Sequence, residues 1–504
     1  MSKVKEYKFE IILFFIEAIC MILELIASRV LSPYFGNSNI VWTSVIGIIL
    51  LSSSLGNYIG GKIADKKGDL IKKLKNIIIT AGVFVLLIPI LNRFVLSTIQ
   101  NMNLDLRIGA VISTIILFFI PNLFLGFLIP IVLKLRLTSV EETGNTSGRI
   151  YAISTLGGIV GTFFGGFVLI PNFGSIQILL TLPIVLFILA FMIDFKFSFP
   201  KDLIQVICIL FIVLYLAIYS NLNFMSGKRV LNGDIGAYVS YDTEYSRVLI
   251  KNIKYMNEDV RLMNVGIGYE SATYIDESRK YELVFQYLKY YDLMFKSKNK
   301  ITDCLMIGGA GYGYPKYFIS SYDNTKMDIV EIDGQVTELA KKYFYLDDLI
   351  NEYNTQGNQR INIITEDGRT YLNRNTKKYD AILNDAFSGE TPAKTLTTIE
   401  NVQRIKESLR DDGLYLSNVI GAREGLNSRF LKAEVNTIRQ VFKNVYVIPV
   451  NEIDNTSKAN YMVIATDQDI DYEGCINLSI DSNEIVLTDD YAPIDTLIPM
   501  EKNQ

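Results

Sequence analysis

A glycine-rich turn followed roughly 20 positions later by an acidic residue is the first feature whose residue types and spacing could do chemistry. Gly308, Gly309 and Gly311 follow the apolar run 304–307, and Glu331 follows the next strand-like run, 327–330. Glycines let a backbone approach a ligand closely, and a carboxylate at the end of the second strand can accept both hydroxyls of a ribose. The pattern predicts a nucleoside-binding site, with a structural tight turn as the alternative.

Two further acidic positions continue this alternation of strands and turns. Asp367 and Gly368 follow the run 361–364, and Asp385 follows the run 379–383. Ligands bind outside the carboxyl ends of the strands in an open α/β sheet. We therefore predict that these acids share one site with the glycine turn, although each could instead cap a helix.

Four segments in this order resemble the spermidine synthase family: Gly308-Gly309-Ala310-Gly311, Val330-Glu331-Ile332-Asp333, Glu366-Asp367-Gly368-Arg369 and Asp385-Ala386-Phe387. The resemblance implies a class I methyltransferase-like, Rossmann-type α/β domain with a small β-strand subdomain at its start. Residues 25–36 are also similar to the first helix of a membrane-fused branch of that family.

The resemblance also implies a role for each of these residues. Gly308, Gly309 and Gly311 would approach a sulfonium nucleoside, Glu331 would hold its ribose, and Asp367 and Gly368 would read its adenine. Asp385 would be the general base that deprotonates an attacking amine. The donor would be decarboxylated S-adenosylmethionine or S-adenosylmethionine itself, and methylthioadenosine would be released. A sulfonium is already a good leaving group, so alignment and proton removal suffice and no metal is expected.

Several positions depart from the family pattern, mainly around the acceptor. Tyr312 stands where the family has an aspartate after the glycine turn, and Ser388 stands where it has a second acid. We assign weaker substrate-binding roles to Tyr245, Glu270, Tyr290, Tyr312, Asp489 and Asp490. The pair Asp489-Asp490 could equally be a solvated turn. The departures leave open a methyltransferase, a lyase that needs no acceptor, and a nucleoside-sensing transporter or membrane sensor.

Composition removes several other classes of function. The chain has no histidine, which excludes a histidine-based triad and histidine metal ligands. Its four cysteines are far apart in sequence, which argues against a disulfide scaffold or a zinc site. Residues 222–504 carry a net charge of −10, which argues against nucleic acid as a partner.

The elements that must position these residues fall into two unlike halves of the 504-residue chain. Residues 1–221 carry a net charge of +6 and contain seven apolar stretches long enough to span a bilayer. The stretches are 9–31, 40–58, 76–99, 108–133, 150–170, 175–193 and 203–219. We predict a multi-pass membrane domain at 1–221, a linker and small β/helical subdomain at 222–300, and a Rossmann-like catalytic domain at 301–504. Within the small subdomain, 236–264 contains strand-like runs, and apolar spacing predicts an α-helix at about 276–296.

Charged residues inside the first stretch need an explanation, because they are costly in a bilayer. Glu10, Glu17 and Glu24 recur every seven residues on one side of a helix, and Arg29 follows. They predict either a polar path or docking surface, or only a structural contact between Glu24 and Arg29 with Glu10 at the interface.

Lysine and arginine residues predict how the first half crosses the membrane. With a cytoplasmic N-terminus, the segments 1–8, 59–75, 134–149 and 194–202 hold 14 basic residues, whereas the opposite loops hold only Arg93 and Arg107. Seven spans would place the second half outside the cytoplasm, yet the donor is made inside, so the side stays open. The expected partners are the bilayer and a small amine such as a polyamine; a homodimer is allowed.

Overall fold

The computed structural model describes residues 7–35, 39–102, 104–137, 143–193, 229–233, 236–266, 268–297, 300–388, 391–481 and 484–498. The chain divides into two compact units. The helical unit holds the described residues before 231 together with residues 240–247. The α/β unit holds 231–239 and the described residues from 248 onward. Residues 240–247 therefore group with the helices, although the sequence predicts that the helical domain ends at residue 221.

The helical unit contains six long apolar helices of 19 to 32 residues, each able by length and composition to cross a bilayer. They are α1 Lys8–Phe35, α2 Asn39–Asp65, α3 Leu70–Asn101, α4 Leu106–Arg136, α5 Thr143–Asn172 and α6 Ser175–Ile193. Six of the seven predicted spans are therefore confirmed as helices. The seventh, 203–219, lies outside the described residues.

Helices α1 and α5 touch backbone to backbone, and glycine makes this possible. A Cβ atom on Gly157 would lie 2.2 Å from the carbonyl oxygen of Phe14, and one on Gly161 would lie 2.4 Å from that of Ala18. Small residues at such positions let apolar helices associate closely without a polar contact.

The charged residues of α1 have partners other than those that the sequence suggested. The buried carboxylate of Glu10 lies between Arg136 and Arg149, at N–O distances of 2.8 and 3.1 Å. The guanidinium of Arg29 donates to the carbonyl oxygens of Thr243 and Glu244. Glu10 is thus the centre of a buried ion-pair cluster.

A five-stranded meander, in the order β1 to β5, precedes the larger sheet. Its strands are β1 Arg229–Gly233, β2 Gly236–Asp242, β3 Arg247–Tyr255, β4 Glu258–Val265 and β5 Gly268–Tyr274. Pairing of β3 with β4 and of β4 with β5 is antiparallel. The predicted strand runs in 236–264 are confirmed.

An α-helix over 276–296 was the sequence prediction, and it is wrong. The segment forms 3₁₀ turns at Glu277–Arg279 and Gln286–Lys296. Its buried residues Leu288, Tyr291 and Met294 recur every third position, which matches the three-residue turn of a 3₁₀-helix.

The α/β unit is built on a seven-stranded sheet in the order β13-β14-β12-β9-β6-β7-β8. Its strands are β6 Asp303–Ile307, β7 Lys326–Glu331, β8 Ile361–Thr365, β9 Tyr379–Asn384, β12 Leu409–Gly421, β13 Asn444–Pro449 and β14 Ala459–Thr466. A two-residue pair, β10 Phe387–Ser388 and β11 Thr391–Pro392, follows β9. The helices are α7 Gly313–Ser321, α8 Gly334–Tyr343, α9 Leu346–Tyr353, α10 Gly368–Arg374, α11 Ile399–Ser408, α12 Arg429–Arg439 and α13 Ile494–Leu497.

Strand order reverses beside the central strand β6. The chain runs outward from β6 through β7 to β8, then returns to β9 on the other side of β6. The strands from β8 to β12 are parallel, and every residue of β9 is buried, as expected for a sheet covered on both faces. This arrangement confirms the Rossmann-like prediction, and the reversal is the topological switch point where such sheets bind ligands.

Candidate active site

The glycine turn begins at the switch point, directly after β6. Gly308 adopts a φ of +91°, and a Cβ there would lie 2.6 Å from the carbonyl oxygen of Asp385. The Asp385 amide in turn donates to the carbonyl oxygen of Ile307 at 2.9 Å. Glycine is therefore required at 308 both by its conformation and by the close approach of the chain after β9.

The side chain of Tyr312 packs against the glycine turn. Its ring is completely buried, and its hydroxyl lies 2.8 Å from that of Thr337 on α8. A Cβ on Gly309 would lie 2.9 Å from the Tyr312 ring, and one on Gly311 would lie 2.5 Å from the Ser271 hydroxyl. The sequence predicts a substrate contact for Tyr312, whereas its side chain has no exposed surface and packs as part of the core.

Replacing Gly308 with alanine should destabilise the α/β unit. Positive φ alone costs a non-glycine residue roughly 1–3 kcal/mol. Gly357 provides a matched control, because it has a φ of +86° but no atom within 4 Å of its Cβ direction. We expect Gly308→Ala to lower the thermal unfolding temperature clearly more than Gly357→Ala. Equal shifts would show that the contact with Asp385 is not restrictive.

Glu331 closes the turn from the end of β7. Its Oε2 accepts the amides of Gly309 and Ala310 at 2.8 and 3.0 Å, and its Oε1 accepts the amide of Asp333 at 3.0 Å. Burial raises the pKa of Glu331, and these three amide hydrogen bonds oppose the rise. The carboxylate is therefore held rigidly beside the glycine turn.

Asp367 and Gly368 occupy the end of β8. Asp367 is half-buried and accepts the amide of Thr370 at 2.8 Å, so it caps α10 as the alternative reading suggested. A Cβ on Gly368 would lie 2.6 Å from the Ile307 side chain, so the helix start packs tightly on the end of β6. Only one oxygen of Asp367 is used by the cap, and Glu366 instead pairs with Arg374.

Asp385 is the acid with the most distinctive surroundings. Its Oδ2 accepts the hydroxyl of Tyr287 at 3.0 Å, and its Oδ1 accepts the side-chain amide of Asn418 at 3.0 Å. Burial raises the pKa of Asp385 to about 6, although these hydrogen bonds lower it. A carboxylate with a pKa near neutrality is well matched to general-base catalysis.

Sequence reasoning missed Tyr287 and Asn418 as residues of the site. Asn418 is oriented by Asn460, whose side-chain amide donates to its oxygen at 3.0 Å. The available signal for Asn418 is its place, with Ser417, between the apolar residues 414–416 and 419–420 of β12. Tyr287 gives no such signal, because the apolar spacing of its segment predicts an α-helix with that ring on the apolar face.

Removing the Tyr287 hydroxyl should move the pH dependence of any reaction that uses Asp385 as a base. Tyr287→Phe loses a hydrogen bond that favours the carboxylate, so the Asp385 pKa should rise further above its ordinary value. The acidic limb of kcat/KM should then shift to higher pH, with little loss on the alkaline plateau. Tyr317→Phe, which removes a hydroxyl bonded to Asp292 instead, should leave the profile unchanged.

The residues with weaker predicted substrate-binding roles lie in different parts of the described structure. Asp489 bonds to Arg369 and Thr398, and Asp490 is exposed. Tyr290 lines a cavity of about 390 Å³ on the 3₁₀ segment together with Asp292. Tyr245 belongs to the helical unit. The side chains of Glu270 and Ser388 lie outside the described residues.

Residues 290–472 match the family model described as spermine/spermidine synthase domain. This part of the chain belongs to that family. The match contains the glycine turn, Glu331, Asp367 and Asp385, whereas Tyr245 and the pair Asp489-Asp490 lie outside it.

Curated relatives of this spermine/spermidine synthase domain carry related names. A polyamine aminopropyltransferase of Vibrio vulnificus is 33% identical over 28% of this chain and 44% of its own length. A polyamine aminopropyltransferase 2 of Aquifex aeolicus is 22% identical over 76% of this chain and 73% of its own, so that alignment includes part of the helices. A putrescine N-methyltransferase 2 of Nicotiana tabacum is 28% identical over 38% of this chain and 53% of its own. The chain spans about half the length of most relatives that it matches.

Proposed function

We propose that the chain is a membrane-bound aminopropyltransferase that moves an aminopropyl group from decarboxylated S-adenosylmethionine to a small amine. The observation that carries the proposal is Asp385, a carboxylate with a raised pKa beside the glycine turn in a spermine/spermidine synthase domain. The names of the curated relatives support the same class of reaction.

The donor nucleoside would bind across the switch point. Gly308 and Gly309 leave the backbone open to close approach, and Glu331 would accept the ribose hydroxyls. Oε2 of Glu331 already accepts two amides and Oε1 accepts one, so of the roughly four lone-pair sites of a carboxylate the one left for the ribose is on Oε1. The second oxygen of Asp367 would accept from the adenine amino group.

The acceptor amine would be activated by Asp385. The neutral amine nitrogen attacks the aminopropyl carbon next to the sulfonium, so a C–N bond forms while the C–S bond breaks. The bonding electron pair returns to sulfur, which gives neutral methylthioadenosine. Asp385 has taken one proton from the ammonium before the attack, and the new secondary amine leaves as a cation with its remaining protons. Tyr287 and Asn418 hold the two carboxylate oxygens in place for this transfer.

The helical unit would anchor the enzyme in a lipid bilayer. Its six described helices have the required length and apolar composition, and a polyamine-type amine and a second copy of the chain are the other proposed partners. Methyl transfer is the second candidate, because one relative is named as an N-methyltransferase acting on putrescine.

Product analysis by mass spectrometry would test the proposal. The purified full chain is given decarboxylated S-adenosylmethionine or S-adenosylmethionine, each with and without a diamine. Methylthioadenosine that forms only with the decarboxylated donor and the amine is the expected result. S-adenosylhomocysteine would indicate methyl transfer, methylthioadenosine without an amine would indicate a lyase, and binding without any product would favour a sensor.

A further inference from the structure

The helical unit has two chemically different ends, and side-chain contacts define the first of them. Glu10 at the start of α1 pairs with Arg136 at the end of α4 and Arg149 near the start of α5. The Lys8 ammonium donates to the carbonyl oxygen of Ile193, the last residue of α6, at 2.6 Å. We call this group of helix termini the basic end.

Contacts at the opposite termini define the second end. The Gln100 side chain, near the end of α3, donates to the carbonyl oxygen of Tyr34, near the end of α1, at 3.2 Å. Arg29 donates to the carbonyl oxygens of Thr243 and, at 2.7 Å, Glu244. We call this the hairpin end, because residues 240–247 contain the turn between β2 and β3.

A second contact fixes the hairpin there. The amide of Ser175, the first residue of α6, donates to Oδ2 of Asp242 at 3.0 Å. Helix α6 thus starts at the hairpin end and finishes at the basic end. Along α1, Glu10 and Arg29 are separated by about 28 Å at the helical rise of 1.5 Å per residue, close to the thickness of a bilayer core.

The course of the chain follows from these contacts. Ile193 is at the basic end, whereas Asp242 is at the hairpin end, so the residues between them must connect the two. The sequence between them contains the predicted span 203–219, which is uncharged.

Charge decides which end faces the cytoplasm. The segments at the basic end, 1–8, 59–75, 134–149 and 194–202, hold 14 lysine and arginine residues, and the opposite loops hold Arg93 and Arg107. The guanidinium of Arg29, near the hairpin end, donates hydrogen bonds to two backbone carbonyl oxygens. The positive-inside rule therefore makes the basic end cytoplasmic.

We infer that the chain from residue 248 onward emerges on the non-cytoplasmic side, so the spermine/spermidine synthase domain takes its substrates from that side. The inference rests on the proposed membrane anchoring. A nucleoside donor made in the cytoplasm must then reach the enzyme by a transport step. The amine acceptor is drawn from the extracytoplasmic pool.

A native cysteine provides the test. Cys475 is exposed, whereas Cys304 is buried and Cys20 lies within α1. Right-side-out vesicles bearing the full chain are treated with a membrane-impermeant maleimide, before and after opening with detergent. Partial burial and Asp471 raise the pKa of the Cys475 thiol, so the labelling is done at mildly alkaline pH. Cys475→Ser shows which signal belongs to this site.

Two engineered reporters complete the experiment, both in the Cys475→Ser background. Lys66→Cys marks the exposed turn after α2 at the basic end. Ile453→Cys marks the α/β unit at a side chain that is 89% exposed, and it decides the result if Cys475 reacts slowly. We expect Cys475 and Ile453→Cys to be labelled in sealed vesicles and Lys66→Cys only after opening.

The opposite pattern, protection of both α/β reporters, or labelling of all three sites in sealed vesicles would overturn the inference. Product formation is measured separately on detergent-solubilised protein. Active protein with the opposite labelling pattern refutes the sidedness alone. Inactive protein with the expected labelling refutes the proposed reaction alone.

Discussion

Replacing Asp385 with asparagine is expected to lower turnover by about 10²–10⁴-fold, the usual contribution of a positioned general base. An amine is protonated at neutral pH and cannot attack until it loses a proton. The chain has no histidine, so a carboxylate is the natural acceptor of that proton. Asp385 has a pKa of about 6 and is therefore largely ionised, and able to act, above that pH.

The substitution should leave the site otherwise intact. The asparagine oxygen can still accept from Asn418, and its amide can donate to the hydroxyl oxygen of Tyr287. Nucleoside affinity, measured by calorimetry, should therefore change little. Asp292→Asn is a matched control, since Asp292 also accepts two tyrosine hydroxyls, those of Tyr314 and Tyr317, but lies outside the glycine turn. Full turnover in Asp385→Asn would show that no base is needed there.

The parts of the α/β unit that the sequence predicts best are those set by local pattern. Short, mainly apolar strands such as 304–307 and 379–383 are buried on both faces, and a single sequence is enough to recognise them. The glycine turn is equally visible, because positive φ and a close backbone contact at Gly308 admit almost no other residue. The acids at the strand ends follow from these two patterns.

The parts that the sequence does not reveal depend on contacts between distant segments. Tyr287 reaches Asp385 across 98 positions, and Arg29 reaches Glu244 across 215. No local period encodes such pairs. The same is true of Tyr312, whose family position suggested a substrate contact although packing against Thr337 buries it. The helix prediction for residues 276–296 is wrong for a different reason. Over a short stretch, apolar residues that repeat every three positions are easily mistaken for the 3.6-residue repeat of an α-helix.

Replacing Glu331 with glutamine should weaken binding of methylthioadenosine by about 1–3 kcal/mol, the cost of leaving buried hydrogen bonds unmade. The carboxylate accepts amides through both oxygens: Gly309 and Ala310 on one, Asp333 on the other. A glutamine has only one acceptor oxygen, so its amide must face at least one of these donors. The ribose hydroxyls would also lose an anionic acceptor.

Calorimetric titration of methylthioadenosine into the purified full chain would measure the loss. Glu407→Gln is the matched control, because Glu407 is exposed and pairs only with Arg404 among the salt bridges of the described residues. Thermal unfolding of both variants separates a lost ligand contact from a collapsed glycine turn. If Glu331→Gln unfolds like the parent protein and binds the nucleoside equally well, the ribose is not held at the end of β7. The nucleoside assignment would then have to depend on Asp367 alone.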